Sequence, residues 1–114
     1  MILWLLLACG PKEPPPPVAA APVEARLSAP ARSAYLQGQV AWARGDLPEA
    51  ERLFRRAVVF DGVSAEPRLA LAGVLLDSGR PEEARALIGA VLERAPEDPQ
   101  ALALMGRLPS APPP

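Results

Sequence analysis

The sequence predicts an all-α fold, a short stack of antiparallel helix pairs closed by one last helix. Three observations predict it. The chain matches itself at an offset of 34 residues. Apolar residues on either side of each matched turn recur with the 3.6-residue period of a helix. Proline is gathered at the two ends, with seven of its sixteen copies before Ala31 and four from Pro109 onward. The stretch between, 31–108, is about 78 residues, which limits the core to a small one of marginal stability.

The repeat lies in the turns. Gly45-Asp46-Leu47-Pro48-Glu49-Ala50-Glu51-Arg52-Leu53 falls over Gly79-Arg80-Pro81-Glu82-Glu83-Ala84-Arg85-Ala86-Leu87, so that a glycine, a proline, an acid, an alanine and a leucine recur in place or within one position. Each has a physical use. A glycine at this point closes the preceding helix in the left-handed conformation. Asp46, with Glu49 three residues on, has the pattern of a capping box, and Pro81 suits a first helical turn. Ala50 and Ala84 are small where two helices must come close.

The expected helices are 31–44, 47–60, 65–78, 81–95 and 99–108. The first is marked by Leu36, Val40 and Ala41, and the third by Leu71, Val74 and Leu75. Leu47, Ala50, Leu53, Phe54, Ala57 and Val58 form the apolar stripe of the second. Ala84, Leu87, Ile88, Val91 and Leu92 form that of the fourth. Ser64 and Asp98 are the expected N-caps, and Asp61-Gly62 and Ala95-Pro96 the expected ends.

This pattern resembles the tetratricopeptide repeat over about two thirds of the chain, as two repeats (31–64 and 65–98) and a capping helix (99–108). Gly38 and Ala72 match the family's small position in the first helix, and Ala50 and Ala84 match its small position in the second. Phe54 and Ile88 match the bulky residue four later, Ala57 and Val91 the next position, and Pro96 the closing proline, where the first repeat has Gly62. Gln37 stands where leucine is usual, so the outer side of the first helix is expected to pack less well. Gly45 and Gly79 complete the repeat-structural set. The resemblance implies a right-handed superhelical stack whose concave face binds a protein or peptide. Its groove positions here are Arg32, Tyr35, Gln39, Trp42 and Ala43, then Glu66, Leu69, Gly73, Leu76 and Asp77. Tyr35 and Trp42 share one helix face beside Arg32, as an interaction hot spot would. Trp42 has a second reading, as a cover over the neighbouring helix. Family members that clamp a C-terminal carboxylate use lysine and asparagines where this chain has Tyr35 and Gln39, so that ligand is not expected.

The first thirty residues read differently. Met1 to Ala8 is apolar throughout and too short to span a bilayer. Leu6-Leu7-Ala8-Cys9 resembles the lipobox of bacterial lipoproteins, although no basic residue precedes the run. The resemblance implies a signal peptide (1–8) cleaved before Cys9 and a diacylglycerol on its thiol. Gly10 after the cysteine would favour the outer membrane, facing the periplasm. Residues 9–30, rich in proline, form the expected disordered tether, and 109–114 the expected disordered tail.

Charge and composition exclude more than they assert. Twelve basic residues face thirteen acidic ones, and acids sit among the arginines, so no basic surface for nucleic acid is expected. Arg52, Arg55 and Arg56 read as a solvated helix face with Glu49 and Glu51. There is no histidine and one cysteine, and no pattern for a metal, a cofactor, a phosphate loop or a small-molecule substrate, so no catalytic residue is named. The expected function is a membrane-tethered adaptor of an envelope assembly, attached to the bilayer through Cys9 only. Two alternatives are a self-associating piece, since about three repeats usually make a stable stack, and a cytoplasmic scaffold without lipid.

Overall fold

The computed structural model describes residues 26–110, and they are all-α. The helices are α1 (Ala29–Ala43), α2 (Leu47–Phe60), α3 (Ala65–Asp77), α4 (Pro81–Arg94) and α5 (Pro99–Arg107). α1 packs on α2, α3 on α4, α2 on α3, and α5 lies across both α3 and α4. The expected leader, the cleavage point at Cys9, most of the tether and the last four residues lie outside the described residues. The start of the domain moves earlier than expected. Ala29 and Pro30 belong to α1, Leu27 is buried in the core, and Arg26 pairs with Glu66 at 2.5 Å.

Both turn glycines act as expected. Gly45 has φ of 80° and Gly79 φ of 75°, a region in which a side chain is strained. The Gly45 amide donates to the Trp42 carbonyl and the Asp46 amide to that of Ala41, at 2.9 Å each. Gly79 and Arg80 repeat this with Leu76 and Leu75 at 3.1 and 2.8 Å. Each turn is therefore a Schellman closure that satisfies the last carbonyls of one helix and aims the chain into the next.

The caps hold two corrections. The capping box at Asp46 is half formed. Its carboxylate accepts from the Glu49 amide at 3.3 Å, but its own amide is already spent on Ala41, so the Glu49 carboxylate turns to Arg52 instead, at 2.6 and 2.9 Å. That pairing lowers the Glu49 pKa and raises that of Arg52. Ser64 occupies the N-cap position of α3 without capping it. Asp61 organises the turn: its carboxylate accepts from the Val63 and Ser64 amides at 3.2 and 3.1 Å and from the Ser64 hydroxyl at 3.1 Å. At α5, Asp98 caps as expected, accepting from the Ala101 amide at 3.0 Å.

The core is built from close approaches. Phe54 of α2 lies against Gly38 of α1, where a Cβ would stand 2.7 Å from the ring. Phe54, Leu75, Ile88, Val74 and Pro67 are the largest fully buried side chains. Ala50, Ala57, Ala72 and Ala84, the small positions of the pattern, are wholly buried. A salt-bridge network crosses between repeats on the outer side: Arg80 pairs with Glu51 at 2.5 Å and Glu83 at 2.7 Å, and Arg55 with Glu51 at 3.1 Å and Glu83 at 3.3 Å. Its hydrogen bond to Arg80 lowers the Glu83 pKa, and the same bond raises that of Arg80.

One part of the expected core is not in it. Leu71, Val74 and Leu75 of α3 are 2, 0 and 0% exposed, whereas Leu36 and Val40 of α1 are 41 and 50% exposed. α3 has the first repeat to pack on, and no described residue covers the matching side of α1. Gln37 is exposed there as expected, donating to Ser33 at 2.9 Å.

Two predictions concern stability. Gly38→Ala should lower it by roughly 1–3 kcal/mol through overpacking against Phe54, whereas Gly89→Ala, where an added Cβ meets nothing within 4 Å, should raise it by roughly 0.5–1 kcal/mol. Urea titrations of both variants check this, and equal effects would refute the packing account. The second concerns acid. Burial works against ionisation of Asp61, but the Ser64 and Val63 amides, the Ser64 hydroxyl and Arg68 together hold its pKa below the usual value. A carboxylate depressed in the fold contributes stability above its unfolded pKa, about 3.9, and loses it as pH falls through the folded value. Unfolding free energy should therefore drop below about pH 4, and Asp61→Asn should make that drop shallower; an identical slope would refute it.

Candidate functional site

α1, α3 and α5 lie side by side on one face and line a groove of about 330 Å³. α1 contributes Tyr35, Gln39 and Trp42, α3 contributes Glu66, Leu69 and Ala70, and α5 contributes Gln100, Ala103, Leu104 and Arg107. A second concavity continues over Gln39, Trp42 and Ala43. Leu69, Leu104 and the buried Tyr35 form the floor, and the glutamines stand exposed on the rim.

Trp42 is half-buried, so both readings of it hold in part. Its ring meets Phe54 edge-on at 6.0 Å and covers Gly73, where a Cβ would stand 2.5 Å from the ring. Its indole N–H donates to the Asp77 carboxylate at 2.7 Å. Arg107 of α5 donates to the other oxygen of Asp77 at 3.0 Å. Asp77 thereby ties α1 and α5 together across the end of α3. At the opposite end Glu66 is held by Arg26 at 2.5 Å. Tyr35 tilts against Phe54 at 5.8 Å, and its hydroxyl accepts from Gln39 at 2.9 Å.

Of the expected groove residues, Tyr35, Gln39, Trp42, Glu66 and Leu69 line the groove, Ala43 borders it, and Asp77 closes its end. Three are placed otherwise. Gly73 lies under the Trp42 ring and offers no surface. Leu76 is half-buried against the core. Arg32 is exposed outside the lining. Tyr35, expected as an exposed aromatic, is 8% exposed because Phe54 and Gln39 close over it. The whole α5 wall was missed. Its signal was present: Gln100, Ala103 and Arg107 stand two repeat lengths after Arg32, Tyr35 and Gln39. No group of three or more His, Cys, Asp or Glu that could hold a metal occurs among the described residues, and no described helix is long and apolar enough to cross a membrane.

The Gly73 contact makes Trp42 a reporter of groove shape. In a Trp4→Phe background, Gly73→Ala should push the indole off α3, breaking its bond to Asp77 and shifting its emission to longer wavelength. An unchanged spectrum would show that the ring is not seated on Gly73.

The family model for the tetratricopeptide repeat matches residues 41–108. Cellulose synthase operon protein C of Pseudomonas fluorescens (strain SBW25) is 40% identical over 65 residues, which is 57% of this chain and 5% of that protein. The chain therefore spans a small fraction of that relative's length. No solved structure matches. A constant repeat, paired Schellman turns, small residues at each helix contact and a family match over more than half of the chain lead to one conclusion: the chain belongs to the tetratricopeptide repeat family, a generally non-catalytic fold whose stacks bind other proteins.

Proposed function

We propose that the chain is a membrane-tethered adaptor that holds a peptide segment of an envelope assembly in the α1–α3–α5 groove. The observation that carries this is the make-up of that groove. An apolar floor at Leu69 and Leu104 lies between Trp42 and a rim of amide side chains from Gln39 and Gln100. Such a site takes an apolar anchor side chain on the floor and hydrogen-bonds the peptide backbone at the rim. The tether is read from the lipobox-like Leu6-Leu7-Ala8-Cys9 and the proline-rich segment after it. The match to a Pseudomonas protein supports a bacterial host, in which such lipidation occurs. Lipidation at Cys9 would leave the stack facing the periplasm from the outer membrane.

Trp42→Ala should weaken capture of partners from detergent-solubilised envelopes, on the order of thirtyfold for an anchor contributing about 2 kcal/mol. Because Trp42 also packs on Phe54, Ala103→Glu serves as a second variant that fills the groove from an exposed position without removing a buried contact. Unaltered capture by both would mean the groove is not used. Labelled palmitate should enter the wild-type chain and not Cys9→Ser; absence of label in the wild type would favour a cytoplasmic scaffold.

A further inference from the structure

We infer that the uncovered face of α1 and α2 is the contact surface of a homodimer in which two copies meet head to head. Three observations bear on this. First, the face is the counterpart of one that is used inside the chain. Val74 and Leu75 of α3, one repeat length after Val40 and Ala41, are fully buried against the first repeat. Arg80 and Glu83, the counterparts of Asp46 and Glu49, make the inter-repeat salt bridges there. On α1 and α2 the same positions form an open groove with no inter-repeat partner, Glu49 there pairing within its own helix to Arg52.

Second, the groove is continuous. One concavity of about 370 Å³ runs from Val40, Arg44 and Glu49 to Leu36. Another, of about 240 Å³, runs on to Arg56 and Phe60, and both are lined by Gln37 and Leu53. Leu53 therefore sits at the centre of the face.

Third, charge selects the occupant. Glu49 lies four residues before Leu53 and Arg56 three after it, so the acid and the base are nearly equidistant from the centre on one helix. A two-fold axis through Leu53, perpendicular to the helices, sets α2 antiparallel to its copy and places each Glu49 beside the other copy's Arg56. Arg56 has no carboxylate partner among the described residues, its guanidinium lying 5.5 Å from the Phe60 ring centre. The tail end of another copy fits this role less well: α5 covers the corresponding face of α3 and α4, and of its own large apolar side chains it leaves Leu102 exposed, with no matching pair of charges beside it. Two helices each about 20 Å long, side by side, offer on the order of 400 Å² per partner, about half of a standard interface. The dimer is accordingly weak and concentration-dependent.

The test is sedimentation of the full chain over a wide range of concentration, with Cys9→Ser to remove thiol crosslinking and lipid. The expected result is a monomer–dimer equilibrium. Val40→Asp and Leu36→Glu, both at exposed positions, should shift it to monomer without changing the thermal melt. Glu49→Arg and Arg56→Glu should each weaken the dimer by at least about tenfold, since each reversal disrupts two symmetry-related pairs, and the double variant should restore it. Three outcomes overturn the inference. A monomer at all concentrations does so, including one in which residues before Arg26 shield Leu36 and Val40. A dimer indifferent to Val40→Asp and Leu36→Glu places the contact elsewhere, as an association through the apolar leader would. Failure of the double charge reversal to restore association removes the head-to-head pairing.

Discussion

The Phe54 ring against the bare Cα of Gly38 is the contact on which the rest of the structure leans. A ring can approach a helix backbone this closely only where no Cβ intervenes. Tyr35 and Trp42, which flank the groove, both rest on the same ring, at 5.8 and 6.0 Å. Trp42 in turn lies on Gly73, a second bare position, and is pinned by Asp77. A line of contacts therefore runs from the centre of the first repeat to the wall of the groove without passing through a loop. In a core this close-packed, a change at one glycine has to be absorbed by displacement of a ring. The groove has the shape it has because of what holds α1 to α2.

Electrostatics plays a subordinate part. The network of Glu51, Arg55, Arg80 and Glu83 lies on the outer surface, where each pair contributes little and is screened by salt. Packing of Leu71, Val74 and Leu75 holds the repeats together, and the charges add preference for one alignment over a shifted one. The Asp77 clasp acts similarly. Its two oxygens are divided between Trp42 and Arg107, so it joins three helices through one exposed side chain.

Much of this was legible in the sequence, and the reason is that the signals were local. A glycine in the left-handed conformation, a proline in a first turn and an apolar stripe at helical spacing each act within a few residues, and all five helices lie within two residues of their expected bounds. The failures arise where a local rule meets a competitor or a neighbour. Glu49 could not complete a capping box because the amide it needed was taken by the Schellman turn. Ser64 had the right residue type for a cap, but Pro67 three residues on has no amide to offer it, and its hydroxyl donates to Asp61 instead. Leu36 and Tyr35 show the other kind of failure. Helical period says which residues share a face and not whether anything lies against it, so an apolar Leu36 was left in the open and an aromatic Tyr35 was closed over. The α5 wall was missed because Pro109 cuts the third repeat short, although the repeat length alone leads from Tyr35 to Ala103.

α5 also explains how so short a stack can present a site. It covers the far side of α3 and α4 as a cap would, and the same helix supplies the third wall of the groove, with Arg107 tied to Asp77 and Arg85 of α4 donating to the Pro109 carbonyl just beyond it at 2.9 Å. Capping the stack and walling the groove therefore draw on one helix of nine residues. A partner seated in the groove would touch α1, α3 and α5 together and hold α5 against the stack. Binding to the folded state alone adds stability, about 2.7 kcal/mol at a hundred times the dissociation constant. That is a large share of what a domain of this size possesses. Occupancy of the groove and integrity of the stack are in this way coupled, and the end of the chain that is least supported by its own core is the end that a partner would support most.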